Sequence, residues 1–311
     1  MITRSEDEPD RLTGKGMTRG KRFIVVLLCL CTVVSVFAPS SSYAVQPIPF
    51  GFCPKYNPRI MYQYYQPFID YLNQHTSYQF ELKLSRVYQD TIARLGRKEI
   101  VIASCGPVSY IRAREKYPVW PILRPVSRDG RLHYRGIIIV RRDSPLRKLG
   151  DLKGKSFAFG QEWSTAGHIL PEYYLLKAGV RRKDLKNYSF LRHHDSVVQA
   201  VLTGQFAAGA VKDIIAYQYQ SKGLRFIHST DPIPTVPIIV HADAPWEVVR
   251  SVKTALLKIN PQDPLYQQKM RTWDEEFKYG FIEATDGDYD VIRKILHAIP
   301  LGKGDKGDAR K

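Results

Sequence analysis

Between residues 48 and 116, short apolar runs alternate one for one with longer segments of helical period. IPFGFC (48–53), FELKLS (80–85) and EIVIAS (99–104) read as strands. Residues 58–75, 88–97 and 107–116 read as helices, two of them opening on a proline, which suits a first helical turn. Three strand–helix units in a row leave few folds open. They predict a parallel sheet with right-handed crossovers, helices on its faces, and any ligand beyond the C-terminal ends of the strands.

The alternation resumes after YRGIIIVRRDSPLRKLGDLKG, with strands at SFAFG, 188–191, AAGAVK (207–212) and LRFIHST (224–230), and helices after Ser164, at 196–202 and through Tyr217. The run VPIIVHAD (236–243) repeats the pattern of GIIIVRRD: an apolar strand ending in a charged turn. Two such crossings bracket an inserted lobe. The expected fold class is therefore α/β with two lobes: lobe I from 46–136 plus 240–300, lobe II from 137–239, each a mostly parallel sheet flanked by helices. Residues 246–258 and 287–298 read as helices packing back on lobe I, and 301–311 as a polar tail.

The N-terminus addresses the compartment. From Met17, three basic residues precede an apolar run from Phe23 to about Ala38, and Ser-Tyr-Ala (42–44) resembles a cleavage site. This predicts a secretory signal at 17–44, preceded by an extension, and a periplasmic mature chain. The run is short for a membrane anchor. Of the net charge of +17, residues 1–44 contribute +2 (six basic and four acidic side chains), leaving +15. Such an excess suits anionic partners. Zinc-finger spacing, RNP-type motifs and basic helices are missing, which argues against nucleic acid. Cys53 and Cys105 end two apolar runs. On neighbouring parallel strands they form a candidate disulfide, with two separate buried thiols as the other reading.

The chemistry concentrates in SFAFGQEWSTAGHILPEYYLLKAG (156–179). A strand runs into a helix whose first turn carries Ser164, Thr165, Ala166 and Gly167. Free N–H groups, two hydroxyls and a glycine that permits close backbone approach make a small anion site. Plain capping by Ser164 is the competing reading. No Gly-Lys-Ser/Thr follows, so nucleotide hydrolysis is not indicated. His193 and His194 lie in a strand-to-helix loop, where ligands bind in α/β sheets. His168 reads as a packing residue, and the histidines lack the spacing of a metal site. With no G-x-S-x-G elbow, no catalytic residue is assigned. Tyr62, Tyr64 and Tyr65 read as packing residues; Tyr88 and Tyr134 stand where a phenol can face a cleft.

These residues resemble a family. VYQDTIARL, YRGIIIVRRDSPLRKLGDLKGKSFAFG, STAGHILP, HHDSVVQAVLTGQFAAGAV and DPIPTVPIIV, in that order, are similar to segments of the periplasmic binding proteins of phosphonate, phosphate and phosphite ABC transporters, with the type II two-lobe fold. The similarity runs from about residue 48 to 298. It implies capture of a small phosphorus oxyanion between the lobes by Tyr88, Tyr134, Ser164, Thr165 and His194, with Ala166 at the third position of the helix start; Gly167 joins them from the residue reading, and no cofactor or metal is expected. It also implies a monomer that delivers its ligand to an ABC permease. A periplasmic protein feeding a membrane-bound sensor comes second, and a secreted phosphoesterase third. Ala166 stands where the family has a third hydroxyl. The positions at which relatives use acids to hold an aminoalkyl ammonium read as Ile214 and Val236, which argues against 2-aminoethylphosphonate. Lys212, where many relatives place an acid or amide, is expected to add a point charge to the anion; its other readings are a solvated lysine or a pair with Asp213.

Overall fold

The structure, a computed structural model, describes residues 46–299. The expected signal at 17–44 and the polar tail at 301–311 lie outside the described residues. The chain lays down β1 (Ile48–Phe52), α1 (Pro58–His75), β2 (Phe80–Leu84), α2 (Tyr88–Gly96), β3 (Ile102–Ser104), α3 (Pro107–Arg114) and β4 (Val119–Pro125). β5 (His133–Tyr134) leads into β6 (Gly136–Arg141), β7 (Ser156–Phe159), α4 (Leu170–Lys177), β8 (Asn187–Phe190), α5 (His194–Leu202), β9 (Ala208–Lys212), α6 (Asp213–Gln220) and β10 (Leu224–Ser229). β11 (Ile233–Pro234) returns the chain to β12 (Ile238–His241), α7 (Trp246–Leu257), α8 (Pro264–Met270), β13 (Phe281–Glu283) and α9 (Asp290–Ala298).

Two sheets result, ordered β2-β1-β3-β12-β4-β13 and β8-β7-β9-β6-β10. In the first, β1 pairs in parallel with β2 and β3; in the second, β7 pairs in parallel with β8 and β9. The strand that enters each sheet from the other reverses direction. β12 is antiparallel to β3 and β4, β13 to β4, and β6 to β9 and β10, so each sheet is mixed and not mostly parallel as expected, because the crossing strands run against the strand–helix units. β6 and β12 are buried and apolar up to their last residues, an exposed Arg141 and a buried His241, as suits a central strand covered on two faces.

The crossings lie just upstream of where the residue pattern put them. GIIIV and VPIIV are each committed to one sheet. The chain passes between sheets through a two-stranded ribbon, β5 against β11, in which Tyr134 faces Ile233 and His133 faces Pro234. Proline at 234 and the shortness of both strands limit this ribbon to few hydrogen bonds, as suits a pivot. Among the described residues, no helix is long and apolar enough to cross a membrane.

Helix α1 begins where expected because Asn57 caps it, its Oδ1 accepting the Ile60 N–H at 3.2 Å, with Pro58 next in line. Its inner face presents Tyr65, Phe68 and Leu72 to the first sheet. There Phe52 stacks on Tyr65 with centroids 4.1 Å apart, and Phe68 stacks on Phe277 at 5.2 Å. This aromatic cluster ties the first sheet to the chain's last segments. The shell behind the C-terminal end of β1 is therefore rigid.

Candidate functional site

The C-terminal ends of parallel strands from both sheets face one another. From the first sheet come Cys53 and Lys55 after β1, Tyr88 at the start of α2, and Ser104, Cys105 and Gly106 after β3. From the second come Ser164 to Gly167 after β7, His194 after β8 and Lys212 at the end of β9. The space they enclose is about 40 Å3. One water needs roughly 10–15 Å3, so the space is on the scale of a few heavy atoms.

Of the eight residues singled out in the sequence, Tyr88, Tyr134, Ser164, Thr165, Ala166, His194 and Lys212 line this pocket, and Gly167 stands directly behind it. Residues Thr165–Ile169 form a single π-helical turn that continues into α4. Ser164 caps it, its Oγ accepting the Gly167 N–H at 3.0 Å, while the Ser164 carbonyl accepts from His168 and Ile169. The turn's own bonding leaves over the N–H groups of Thr165 and Ala166, its first two positions. Capping and anion binding are thus not rivals here. Ser164 Oγ uses a lone pair for the cap and keeps its proton to donate. Thr165 does the same, its Oγ1 accepting the Val108 N–H at 3.0 Å across the pocket. Gly167 is required at its position. A Cβ there would lie 2.9 Å from Ser164 Oγ and 3.0 Å from both Gly160 Cα and His194 Cε1.

The tautomer of His194 follows from its contacts. The Lys212 N–H donates to Nδ1 at 3.4 Å, which leaves the proton on Nε2, 3.5 Å from Ser164 Oγ. Burial, helped by the charges of Lys55 and Lys212, lowers the His194 pKa to about 3. The imidazole is therefore a neutral donor. Burial pushes the Tyr88 and Tyr134 phenols up, so both stay protonated. Five side-chain donors and two backbone N–H groups converge on one small volume.

Lys212 is in the wall, but its ammonium does not point at the anion position unopposed. It sits 3.9 Å from the centroid of the Tyr134 ring and is paired with Glu276, neither solvated nor joined to Asp213. Glu276 in turn holds Lys55 at 2.8 Å, and Lys55 also reaches Asp274 at 2.8 Å. Burial is the strongest single influence and would lower the Lys55 pKa, but Asp274 together with Tyr65 and Tyr56 outweighs it and holds the pKa well above the usual lysine value. Burial and the Lys55 charge push the Lys212 pKa well below the usual lysine value, opposed by the Asp213 and Asp274 charges. Two ammonium groups and two carboxylates balance in a buried set. Lys55, Asp274, Glu276 and Tyr65 were not singled out as site residues in the sequence. Three of them are ordinary charged residues with no local motif, and Tyr65 reads as packing.

Of the two readings of the thiols, the structure has the unbridged one. Cys53 and Cys105 do end adjacent parallel strands, yet they are free cysteines, and burial with the Cys53 contact pushes the Cys105 thiol up. His168 is a packing residue as expected, its Nδ1 on the Glu162 carbonyl at 2.6 Å and its Nε2 on Glu172 at 2.7 Å. His193 touches the Pro54 carbonyl at 3.3 Å. Val236 lines the pocket, whereas Ile214 lines a neighbouring, larger cavity. Among the described residues, no group of three or more His, Cys, Asp or Glu could hold a metal ion.

This architecture has relatives. A protein-family model described as "ABC transporter, phosphonate, periplasmic substrate-binding protein" matches residues 50–289. The "Probable ABC transporter phosphite binding protein PhnD1" of Prochlorococcus marinus is 30% identical over 122 residues, 37% of this chain and only 40% of that protein. The "Phosphate-import protein PhnD" of Mycolicibacterium smegmatis is 23% identical over 74% of this chain and 79% of its own. The structure of Prochlorococcus marinus PhnD1 in complex with methylphosphonate superposes with a TM-score of 0.73 at 20% identity, covering 81% of this chain and 97% of that one. Two α/β sheets joined by a short ribbon, and a family match across most of the chain, place this protein among the periplasmic substrate-binding proteins of phosphonate ABC transporters.

Proposed function

We propose that this protein binds one compact phosphorus oxyanion (phosphate, phosphite or methylphosphonate) in the pocket of Tyr88, Tyr134, Ser164, Thr165, Ala166 and His194. It then presents the ligand to an ABC permease. The observation that carries the reading is the donor set: hydroxyls, one neutral imidazole N–H and leftover turn N–H groups, aimed into about 40 Å3. Hydrogen bonds to a charged acceptor in a dry site are among the stronger ones, at roughly 1.5–3 kcal/mol each. The names of the relatives, which speak of phosphite, phosphate and methylphosphonate, point the same way.

The chain divides in this reading into one half of 46–136 plus 240–300 and another of 137–239, hinged at the β5–β11 ribbon. Contacts across the pocket support closure over the ligand. The Tyr88 N–H donates to Gln161 Oε1 at 3.0 Å, Asn57 Nδ2 to Asp195 Oδ2 at 2.8 Å, and the His194 N–H to the Lys55 carbonyl at 3.0 Å. The protein is exported by the signal at 17–44, acts as a monomer and does no chemistry on its ligand. Titrating purified protein calorimetrically with phosphate, phosphite and methylphosphonate tests this. Binding of at least one at a single site is expected; heat from none of them contradicts the reading.

A further inference from the structure

The anion pocket has a neighbour. A second cavity, of about 800 Å3, is lined in part by Arg128, Arg135, Asp213 and Ile214, and it shares three residues with the small pocket: Tyr134, Lys212 and Glu276. Lys212 touches both of the others. The Lys212 ammonium lies on the Tyr134 ring and pairs with Glu276. The other pocket walls are strand ends, the π-helical turn and the aromatic shell of Phe52 and Tyr65, all buried. A phosphorus oxyanion whose three oxygens engage the turn, the phenols and His194 has its fourth substituent left to place. The shared wall is the side on which an adjoining cavity could receive it.

We propose that the Lys212–Glu276 pair is a partition that sets ligand specificity. It closes the oxyanion pocket to phosphonates with substituents longer than methyl, and the Lys212 ammonium stands where a ligand's own cationic tail would otherwise meet Glu276. This deepens the oxyanion reading and rests on it. The register supports a built partition. Lys212 ends β9 opposite Gly136, two residues past Tyr134, so the strand pairing itself brings amine and ring together. Glu276 is fixed independently. Its N–H donates to Asp274 Oδ1 at 3.0 Å and its Oε2 holds Lys55 at 2.8 Å. With Lys55 on one carboxylate oxygen and Lys212 on the other, Glu276 already faces two ammonium groups before a ligand brings a third. A ligand ammonium at this wall would be desolvated beside two lysines, which disfavours it. Shortening residue 212 removes both the plug and the tethered cation, and leaves Glu276 facing the pocket.

The test measures affinities for methylphosphonate, n-propylphosphonate and 2-aminoethylphosphonate, the last two equal in heavy atoms and different in charge. Native protein, Lys212→Ala and Lys212→Met are compared by calorimetry. The native protein is expected to favour methylphosphonate over both longer ligands by about 100-fold or more, the scale at which pocket size and unpaired charge discriminate. Lys212→Ala should narrow both ratios at least about tenfold, the aminoethyl ratio more than the propyl one, whereas Lys212→Met, which keeps length without charge, should still reject propylphosphonate. Unchanged ratios in Lys212→Ala overturn the proposal, as does a propyl gain equal to the aminoethyl gain. If Lys212→Ala does not fold, the native protein still decides: equal binding of methyl- and propylphosphonate overturns the partition. Native protein that binds methylphosphonate without the predicted changes sinks this inference alone, whereas native protein that binds no phosphorus oxyanion sinks the functional reading beneath it.

Discussion

His194 carries a pH signature. In the fold its imidazole stays neutral down to about pH 3, because burial and the Lys55 charge disfavour the cation, whereas an imidazole in the unfolded chain titrates near 6.5. Between those values the unfolded chain binds a proton that the folded chain refuses. The stability contributed is complete above pH 6.5 and is lost as the pH falls toward 3, at up to about 1.4 kcal/mol per unit. Melting temperatures measured from pH 7 to 4 should therefore fall more steeply for the native protein than for His194→Asn; equal slopes would remove the claim. Gly167→Ala should destabilise by roughly 1–3 kcal/mol and displace His194, since its Cβ has three neighbours at 2.9–3.0 Å. A crystal structure of that variant with His194 unmoved would contradict this. At this scale the sequence was legible where chemistry clusters locally. Ser164 to Gly167 announce themselves by type and spacing. Lys55, Asp274 and Glu276 do not, because their meaning lies in a contact between residues more than two hundred positions apart.

Among elements, the strands and helices with strong apolar period were legible nearly to their ends. Helix 58–75 matches its expected bounds, and 80–84, 136–141 and 208–212 differ from expectation by a residue or so. β4 was not, since VWPILRP carries two prolines and no alternation, and it is tolerated as a strand because β12 and β13 pair it on both sides. The segment from 259 to 286 gave no periodic signal either, being built of a short helix, a helical turn and a three-residue strand. Its conformation is set by what it packs on, chiefly the aromatic shell of α1. Two variants check this dependence by chemical denaturation. Phe68→Ala, at a fully buried ring between Phe50, Trp273 and Phe277, should cost about 3–5 kcal/mol. Lys55→Met leaves Asp274 and Glu276 with Lys212 alone, and loss of one member of a buried ion set should also cost about 3–5 kcal/mol. A change under about 1 kcal/mol in either would mean that the segment does not depend on these contacts.

For the whole molecule, the two sheets matter because each offers the C-terminal ends of its parallel strands to the same small volume. The topology that reverses β6 and β12 makes this possible, since the chain can leave one sheet and return to it through a single ribbon beside Tyr134. The proposed function then reduces to hydrogen-bond donors from both sides meeting on one anion. The most direct measurement is calorimetric titration of native protein and the Ser164→Ala/Thr165→Val double variant with methylphosphonate and phosphate, after confirming that both proteins are folded. Removing two hydroxyl donors to a charged ligand, at about 1.5–3 kcal/mol each, should weaken binding by roughly 10^2- to 10^4-fold. Equal affinity of the two proteins for every phosphorus oxyanion that the native protein binds would contradict the account.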